Sequence, residues 1–284
     1  MSKPPYFLGL PMWSNRDWLG GLFPQNASSK DFLSHYSNAF NTVEGNTTFY
    51  ALPSEATVAN WKAQLTPGFR FCFKLPREVT HTGHLVNGDR LHQFFQRLSP
   101  LSDFLGPFMI QLPAAFDPSR FIELEYFLTS LPEHYSYAVE VRHRAFFNKG
   151  DEERQLNRLL MNLNIDRVCF DSRSLFSRPA KSDAERDAQN KKPQLPVHAI
   201  ATGEFPIVRF IGLGDSAYDE QYLEPWKPKL QEWVAQGKYP FFFMHSPSNL
   251  DVPYQAQSFH NYFKDLDGWE PLNLPEQAEQ LAIF

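Results

Sequence analysis

Thr42-Val43-Glu44-Gly45-Asn46-Thr47-Thr48-Phe49-Tyr50 begins as a strand and then sets a carboxylate and an amide two residues apart. β-Branched Thr42 and Val43 favour extended backbone, and side chains alternate faces along a pleated strand, so Glu44 and Asn46 point the same way. If the strand is central, that direction is inward, where a charge is costly unless it is paired. A partner must therefore face Glu44, and the flanking segments supply candidates at their own strand ends.

Upstream, Tyr6-Phe7-Leu8-Gly9-Leu10 reads as strand one. After a loop holding Gly20, Gly21 and Pro24, Ser29 is expected to cap a helix over Lys30 to Phe40, with Phe32, Leu33, Tyr36 and Phe40 at helical spacing. Downstream, Pro53-Ser54-Glu55 opens a helix with Val58, Trp61 and Leu65 on one face, stopped at Pro67-Gly68, and Phe69 to Lys74 is strand three. Helix Asp89 to Leu98 precedes strand Phe108 to Leu112, and a helix capped at Asp117-Pro118-Ser119 runs through Leu131 to strand Tyr137 to Val141. Helix Asp151 to Leu163 and strand Arg167 to Asp171 follow. Residues Ser172 to Gln194 interrupt the series as a long polar loop, with a helix expected around Asp183 to Asn190. Strand Pro206 to Phe210, helix Tyr222 to Gln236, strand Pro240 to His245 and helix Val252 to Leu266 complete it, and residues 267–284 are expected to pack outside as a tail.

Eight strand-helix alternations without a linker or a break in composition predict one α/β domain over residues 1–284, a TIM-type (β/α)8 barrel. An open doubly wound sheet would offer a glycine-rich phosphate loop after strand one, and Leu8-Gly9-Leu10-Pro11 is not one. With 42% hydrophobic residues, 21% charged residues and 27 Phe, the chain has material for a large core and none of the composition of a disordered protein. A net charge of −5 gives no overall attraction to nucleic acid or to an anionic membrane. No apolar run approaches the length of a membrane span and no export signal opens the chain, so a soluble, cytoplasmic protein is expected. Cys72 and Cys169, both in apolar strand-like runs, read as reduced core residues.

The active site of such a barrel lies at the C-terminal ends of its strands. Taken in order, those ends present Trp13, Glu44 with Asn46, Lys74 with His81 nearby, Gln111, Glu140 with Arg142, Asp171, Arg209, and His245 with Asn249. Each of the ions taken alone is equally well read as part of an ion-pair layer plugging the mouth. Polar groups from eight strands on one rim are what a pocket requires. Lys74, Arg142 and Arg209 would form an anion-binding wall. Glu44 and Glu140 would act as acid and base if their surroundings split their pKa values, with His81 as a further proton carrier and Asp171 orienting a base. Trp13 and Tyr50 would stack on a sugar or base, with Asn46, Gln111, His245 and Asn249 as further substrate contacts. Glu44, Glu140, Asp171 and His245 could also give an oxygen-rich divalent metal site. The chain has no metal-binding motif, however, and no metal or cofactor is expected. Lys191-Lys192 in the long loop read as a solvated charge pair that would otherwise meet a phosphate.

Three stretches also resemble one family: Phe40-Asn41-Thr42-Val43-Glu44-Gly45-Asn46-Thr47-Thr48-Phe49-Tyr50, Phe73-Lys74-Leu75-Pro76-Arg77-Glu78-Val79-Thr80-His81 and Ala138-Val139-Glu140-Val141-Arg142-His143. Gln111-Leu112-Pro113, Asp171-Ser172-Arg173, Lys192-Pro193-Gln194-Leu195-Pro196-Val197-His198 and Arg209-Phe210-Ile211-Gly212 support them. In this order the motifs resemble the YecE-like family, a domain of unknown function (72), from Gly9 to Pro247. The resemblance implies a TIM-type barrel and brings no activity with it. Two positions depart from the common pattern: Gly45, where many members carry a hydrophobic residue, and His245-Ser246, where many carry an Asn pair. The second departure is similar to the subgroup nearest the family's namesake. At fold level alone the barrel is also similar to metal-dependent sugar isomerases and abasic-site endonucleases.

The expectation is thus an enzyme taking a small anionic, phosphorylated or carboxylated, sugar-like molecule at the barrel mouth by acid/base chemistry, as hydrolase, lyase or isomerase. A nucleic-acid-binding protein with an endonuclease-like barrel is the reading from another class, and a non-catalytic metabolite-binding protein is a third.

Overall fold

Eight parallel strands form one sheet in the computed structural model of the protein, which describes residues 4–274. The first half runs β1 (Phe7–Leu10), α1 (Phe32–Ala39), β2 (Thr42–Gly45), α2 (Thr47–Tyr50), α3 (Glu55–Lys62), β3 (Arg70–Phe73), α4 (Arg77–Thr80), α5 (Asp89–Leu98) and β4 (Phe108–Gln111). The second runs α6 (Phe121–Thr129), β5 (Tyr137–Glu140), α7 (Asp151–Asn162), β6 (Asp166–Asp171), α8 (Asp183–Lys191), β7 (Ile207–Ile211), α9 (Ser216–Leu223), α10 (Trp226–Ala235), β8 (Phe241–His245) and α11 (Val252–Asn261). Strands pair in the order β3-β2-β1-β8-β7-β6-β5-β4. The two ends of that order meet through Gly106 N donating to Phe71 O at 2.8 Å and Leu75 N donating to Met109 O at 3.0 Å, which curls the sheet into a (β/α)8 barrel.

The interior is layered by the two-residue period of the strands. Phe7, Cys72, Met109, Ala138, Val168, Ile207, Phe241 and Phe243 come from seven strands and pack as one apolar cluster inside the barrel. Two residues further along, the same faces carry Lys74, Gln111, Glu140, Phe170, Arg209 and His245, with Glu44 from β2. An apolar floor therefore lies directly beneath a polar layer. The larger core fills the space between sheet and helices, as in other barrels of this architecture. Cys72 and Cys169 are buried and unbonded to each other.

Helix ends follow local chemistry. Ser54 accepts from Thr57 N at 3.1 Å and Ser182 from Glu185 N at 3.1 Å, each capping its helix. Two expectations are corrected. The Ser29 cap is absent, since α1 starts at Phe32 behind Asp31. The helix expected over Tyr222 to Gln236 is two, α9 and α10, because Pro225 has no N–H and breaks the ladder between them. Asp215, which accepts from Ala217 N at 3.1 Å, starts the first of them earlier than the apolar spacing suggested. Within the tail, Trp269 Nε1 donates to His260 O at 3.1 Å and Leu272 packs against the core, while residues 275–284 of that expectation lie outside the described residues. No helix among the described residues is long and apolar enough to cross a membrane.

Gly45 faces the helix layer, and a Cβ there would stand 2.3 Å from Cδ1 of Phe73, whose ring stacks on Trp61 at 5.6 Å. The ring of Phe73 thus occupies the space a side chain at 45 would need. Gly45→Ala is expected to destabilise the fold by about 1–3 kcal/mol through overpacking, and Phe73→Leu in the same chain to recover part of that loss. Urea unfolding of both single variants and the pair reads the coupling; strictly additive losses would mean that the two positions do not compete for space.

Candidate functional site

Arg209 stands at the centre of the polar layer. Its Nε and Nη2 donate to the two oxygens of Glu44 at 2.8 and 2.7 Å, and its Nη1 donates to Glu140 Oε2 at 2.6 Å. Glu44 Oε1 also lies 3.1 Å from Lys74 Nζ, and Glu44 Oε2 lies 2.9 Å from His245 Nε2. Glu140 Oε1 accepts from Arg142 Nε at 2.8 Å, and Lys74 Nζ donates to Gln111 Oε1 at 2.9 Å. Phe170 lies under both guanidinium groups, 5.2 Å from that of Arg209 and 5.9 Å from that of Arg142. Glu44, Glu140 and Arg209 are each at most 1% exposed, so these three charges are stabilised by their neighbours rather than by water.

These contacts set the protonation states. Burial pushes Glu44 up, but Arg209, Lys74 and His245 together hold it well below the usual carboxylate range. Burial likewise opposes Glu140, and Arg209, Arg142 and Lys74 bring it down to about 2. The two carboxylates are driven the same way, whereas the sequence reading needed them driven apart. Burial and the neighbouring Arg209 lower Lys74 to about 8 despite the pull of Glu44 and Glu140. Burial lowers His245 to about 4, which leaves a neutral imidazole whose Nε2–H donates to Glu44.

A cavity of about 650 Å³ opens above the layer. Ten of the residues singled out in the sequence line it: Trp13, Glu44, Asn46, Tyr50, Lys74, Gln111, Arg142, Arg209, His245 and Asn249. Glu140 sits behind them, bonded to Arg142 and Arg209. The alternation argued for Asn46 ends early, since β2 stops at Gly45 and Asn46 turns helical at φ −74°; its Nδ2 donates to Pro11 O at 2.9 Å. Trp13 packs edge-on to Trp61 at 5.4 Å, and Tyr50 is 76% exposed at the rim. Asn249, at φ +53°, accepts from Ser246 N at 3.0 Å and holds the turn after β8.

Two expected residues stand apart. With Phe170 pointing in, the strand period turns Asp171 outward, where it accepts from Trp226 Nε1 at 2.8 Å and from Arg173 Nη2 at 2.8 Å. A base in the mouth is out of its reach. His81 bonds Thr80 Oγ1 through Nδ1 at 2.8 Å and meets the ring of Phe49 outside the cavity wall. Partial burial, then Arg142 and Arg77, lower it to about 4. Among the described residues no three His, Cys, Asp or Glu side chains gather as metal ligands. The four weighed from the sequence divide because Asp171 faces out and both glutamates are engaged by guanidinium groups.

Lys192, read from the sequence with Lys191 as a solvated charge pair, is instead half-buried in the cavity wall. Lys191 is exposed and pairs with Asp187 at 2.7 Å at the edge of the cavity, whereas Lys192 leaves the helix at φ −96° and ψ 139° and lines the same cavity. Burial and Arg209 lower it to about 8, and it has no ion-pair partner among the described residues. The adjacent lysines gave a signal for charge but not for which of them is left without a carboxylate partner.

The profile of a family described as "Protein of unknown function DUF72" matches residues 7–279. Over 281 residues the chain is 41% identical to the UPF0759 protein YecE of Escherichia coli K12, covering 98% of this chain and 99% of that protein. The chain belongs to the DUF72 family. A more distant relative, the UPF0759 protein YunF of Bacillus subtilis, is 23% identical over 277 residues, covering 87% of this chain and 90% of YunF. Crystal structures of DUF72 proteins share the fold: one from Enterococcus faecalis has a TM-score of 0.69 at 17% identity, covering 96% of this chain and 100% of its own. One from Thermotoga maritima has a TM-score of 0.66 at 22% identity, covering 90% and 98%.

In this DUF72 protein Arg209→Met leaves Glu44 and Glu140 buried without their shared partner, and a stability loss of about 3–5 kcal/mol is expected near neutral pH. Glu140 is held near 2 against an ordinary 4.5, so its contribution is present above the ordinary value and is lost as pH falls through the lower one. The gap between the two proteins in urea unfolding should therefore narrow as pH drops below about 4. A gap independent of pH would place the loss in packing on Phe170 instead.

Proposed function

We propose that the barrel mouth is an active site that binds a small anionic, sugar-like molecule, phosphorylated or carboxylated, and moves protons on it. The observation that supports this reading is the uneven charge of the wall. Five cations, Lys74, Arg142, Lys191, Lys192 and Arg209, meet three carboxylates, Glu44 and Asp187 in the wall and Glu140 behind it. Surplus positive charge in a half-enclosed cavity is unfavourable until an anion enters it.

The roles divide by position. Arg209 is taken up by both glutamates and holds them in place, while Arg142 and Lys192 lie on the solvent side and receive the anion. Gln111 gives its carbonyl to Lys74 and keeps its amide nitrogen for a hydroxyl. Trp13 and Tyr50 offer flat apolar faces at the rim. Lys74, lowered to about 8, is suited to give and take a proton near neutral pH, a task for which Glu44 and Glu140 are too acidic.

Calorimetry with inorganic phosphate and with a set of phosphorylated and carboxylated sugars tests the reading. Arg142→Ala and Lys192→Ala are each expected to weaken binding about tenfold, the effect of losing one charged hydrogen bond. Affinity should also fall as pH rises through about 8, where Lys74 and Lys192 lose the protons that attract the anion. Unchanged affinity in both variants, together with a flat pH profile, would sink the idea.

A further inference from the structure

We propose that Lys74 is the nucleophile of this site, its amine condensing with the carbonyl group of a small anionic aldehyde or ketone to form an imine. The proposal rests on the anion-binding reading above and adds the functional group on which the site acts.

The geometry around Lys74 Nζ carries it. Beyond its own carbon the nitrogen has three hydrogen-bond directions; Gln111 Oε1 accepts one at 2.9 Å, and Glu44 Oε1 lies 3.1 Å away as an ion-pair partner. No other side chain among the described residues bonds the nitrogen, and Lys74 lies in the cavity wall. Both partners come from neighbouring strands, so the nitrogen is aimed as well as held. Lys74 is also redundant as a counter-ion: Glu44 already accepts two bonds from Arg209 and one from His245.

The electrostatics point the same way. Burial and Arg209 disfavour the ammonium form and bring Lys74 to about 8 from an ordinary 10.5. At a pH half a unit below that value roughly a quarter of the amine is neutral, against about one part in a thousand for an ordinary lysine. Lys192 also stands near 8 in the same cavity wall, but no carboxylate or amide fixes its nitrogen, which suits it to hold the anionic end of the ligand or to give up a proton.

The step balances within these groups. The neutral Lys74 nitrogen attacks the carbonyl carbon, an N–C bond forms, and the carbonyl π pair moves to oxygen. That oxygen takes a proton from Lys192, and the neutral Lys192 amine then accepts the proton released from nitrogen. Return of that proton to the hydroxyl lets the C–O bond break, water leaves, and the nitrogen lone pair completes a protonated imine. One proton is taken up and one water is released, and no oxidant or reductant is involved.

Borohydride trapping tests this. The full-length protein is incubated near pH 7.5 with glyceraldehyde 3-phosphate, dihydroxyacetone phosphate or pyruvate, reduced with borohydride, and read by intact mass and peptide mapping. Hydride adds to the imine carbon, so the expected adduct is the carbonyl compound less one oxygen atom, once per chain, on the peptide holding Lys74. Lys74→Arg, checked by circular dichroism and by calorimetry with inorganic phosphate, should bind the anion and show no adduct. Lys192→Met should need about tenfold more carbonyl compound for the same labelling. Absence of an adduct at Lys74 with all three compounds, in protein that binds phosphate through Arg142, overturns the imine and leaves the anion site standing. Labelling spread evenly over exposed lysines such as Lys62 and Lys181 overturns it as well. Failure of both trapping and phosphate binding overturns the anion-binding reading together with this one.

Discussion

The fork of Arg209 between Glu44 and Glu140 is the constraint on which the rest of the mouth depends. A guanidinium, planar and always charged, is the side chain able to serve two carboxylates from opposite walls of a barrel at once. Two buried glutamates cannot both ionise without it, and a buried arginine cannot stand without them. With that triad in place, burial and the cation behind Lys74 outweigh the carboxylate beside it, and its proton is loosened rather than tightened. His245 is left neutral and serves as a hydrogen-bond donor to Glu44. Phe170 supports the layer with a face that favours cations and takes the inward position from which Asp171 is excluded.

The excursion between β6 and β7 completes the wall. Its helix, α8, buries none of its own side chains and is tied down by a few polar contacts: Arg178 to Glu185 at 2.8 and 3.0 Å, and Gln189 Nε2 to Leu175 O at 2.8 Å. Elements that bury little apolar surface have low local stability. The barrel strands below them, buried on both faces, have high local stability. Lys192 thus follows α8 into the wall, while the ions that set its chemistry are fixed to strands.

Much of the barrel was legible because its signals are local. Strand runs of Phe, Val and Ile, caps such as Ser54 and Ser182, and stops such as Pro67-Gly68 act within a few residues, so the elements could be placed nearly where they form. Where two local signals competed, one was misjudged. An unbroken Trp and Leu stripe suggested a single helix, yet Pro225 within it divides α9 from α10. Candidate residues at strand ends were legible for a similar reason, since a closed barrel sends every second side chain inward and strand ends converge on one rim.

The amino-acid sequence by itself determined the alternation of elements, the polar layer at the mouth and the need of Glu44 for a partner. It did so because period-two patterning and the cost of a buried charge need no coordinates. Only the tertiary structure decided which partner that is, because Glu44 and Arg209 are 165 positions apart and meet across the barrel. It also decided the protonation states, which are sums over charges from β2, β3, β5 and β7. And it separated neighbours in the chain: Phe170 in and Asp171 out, Lys191 paired with Asp187 and Lys192 without an ion-pair partner among the described residues. That phase depends on where a strand or helix ends in the folded protein.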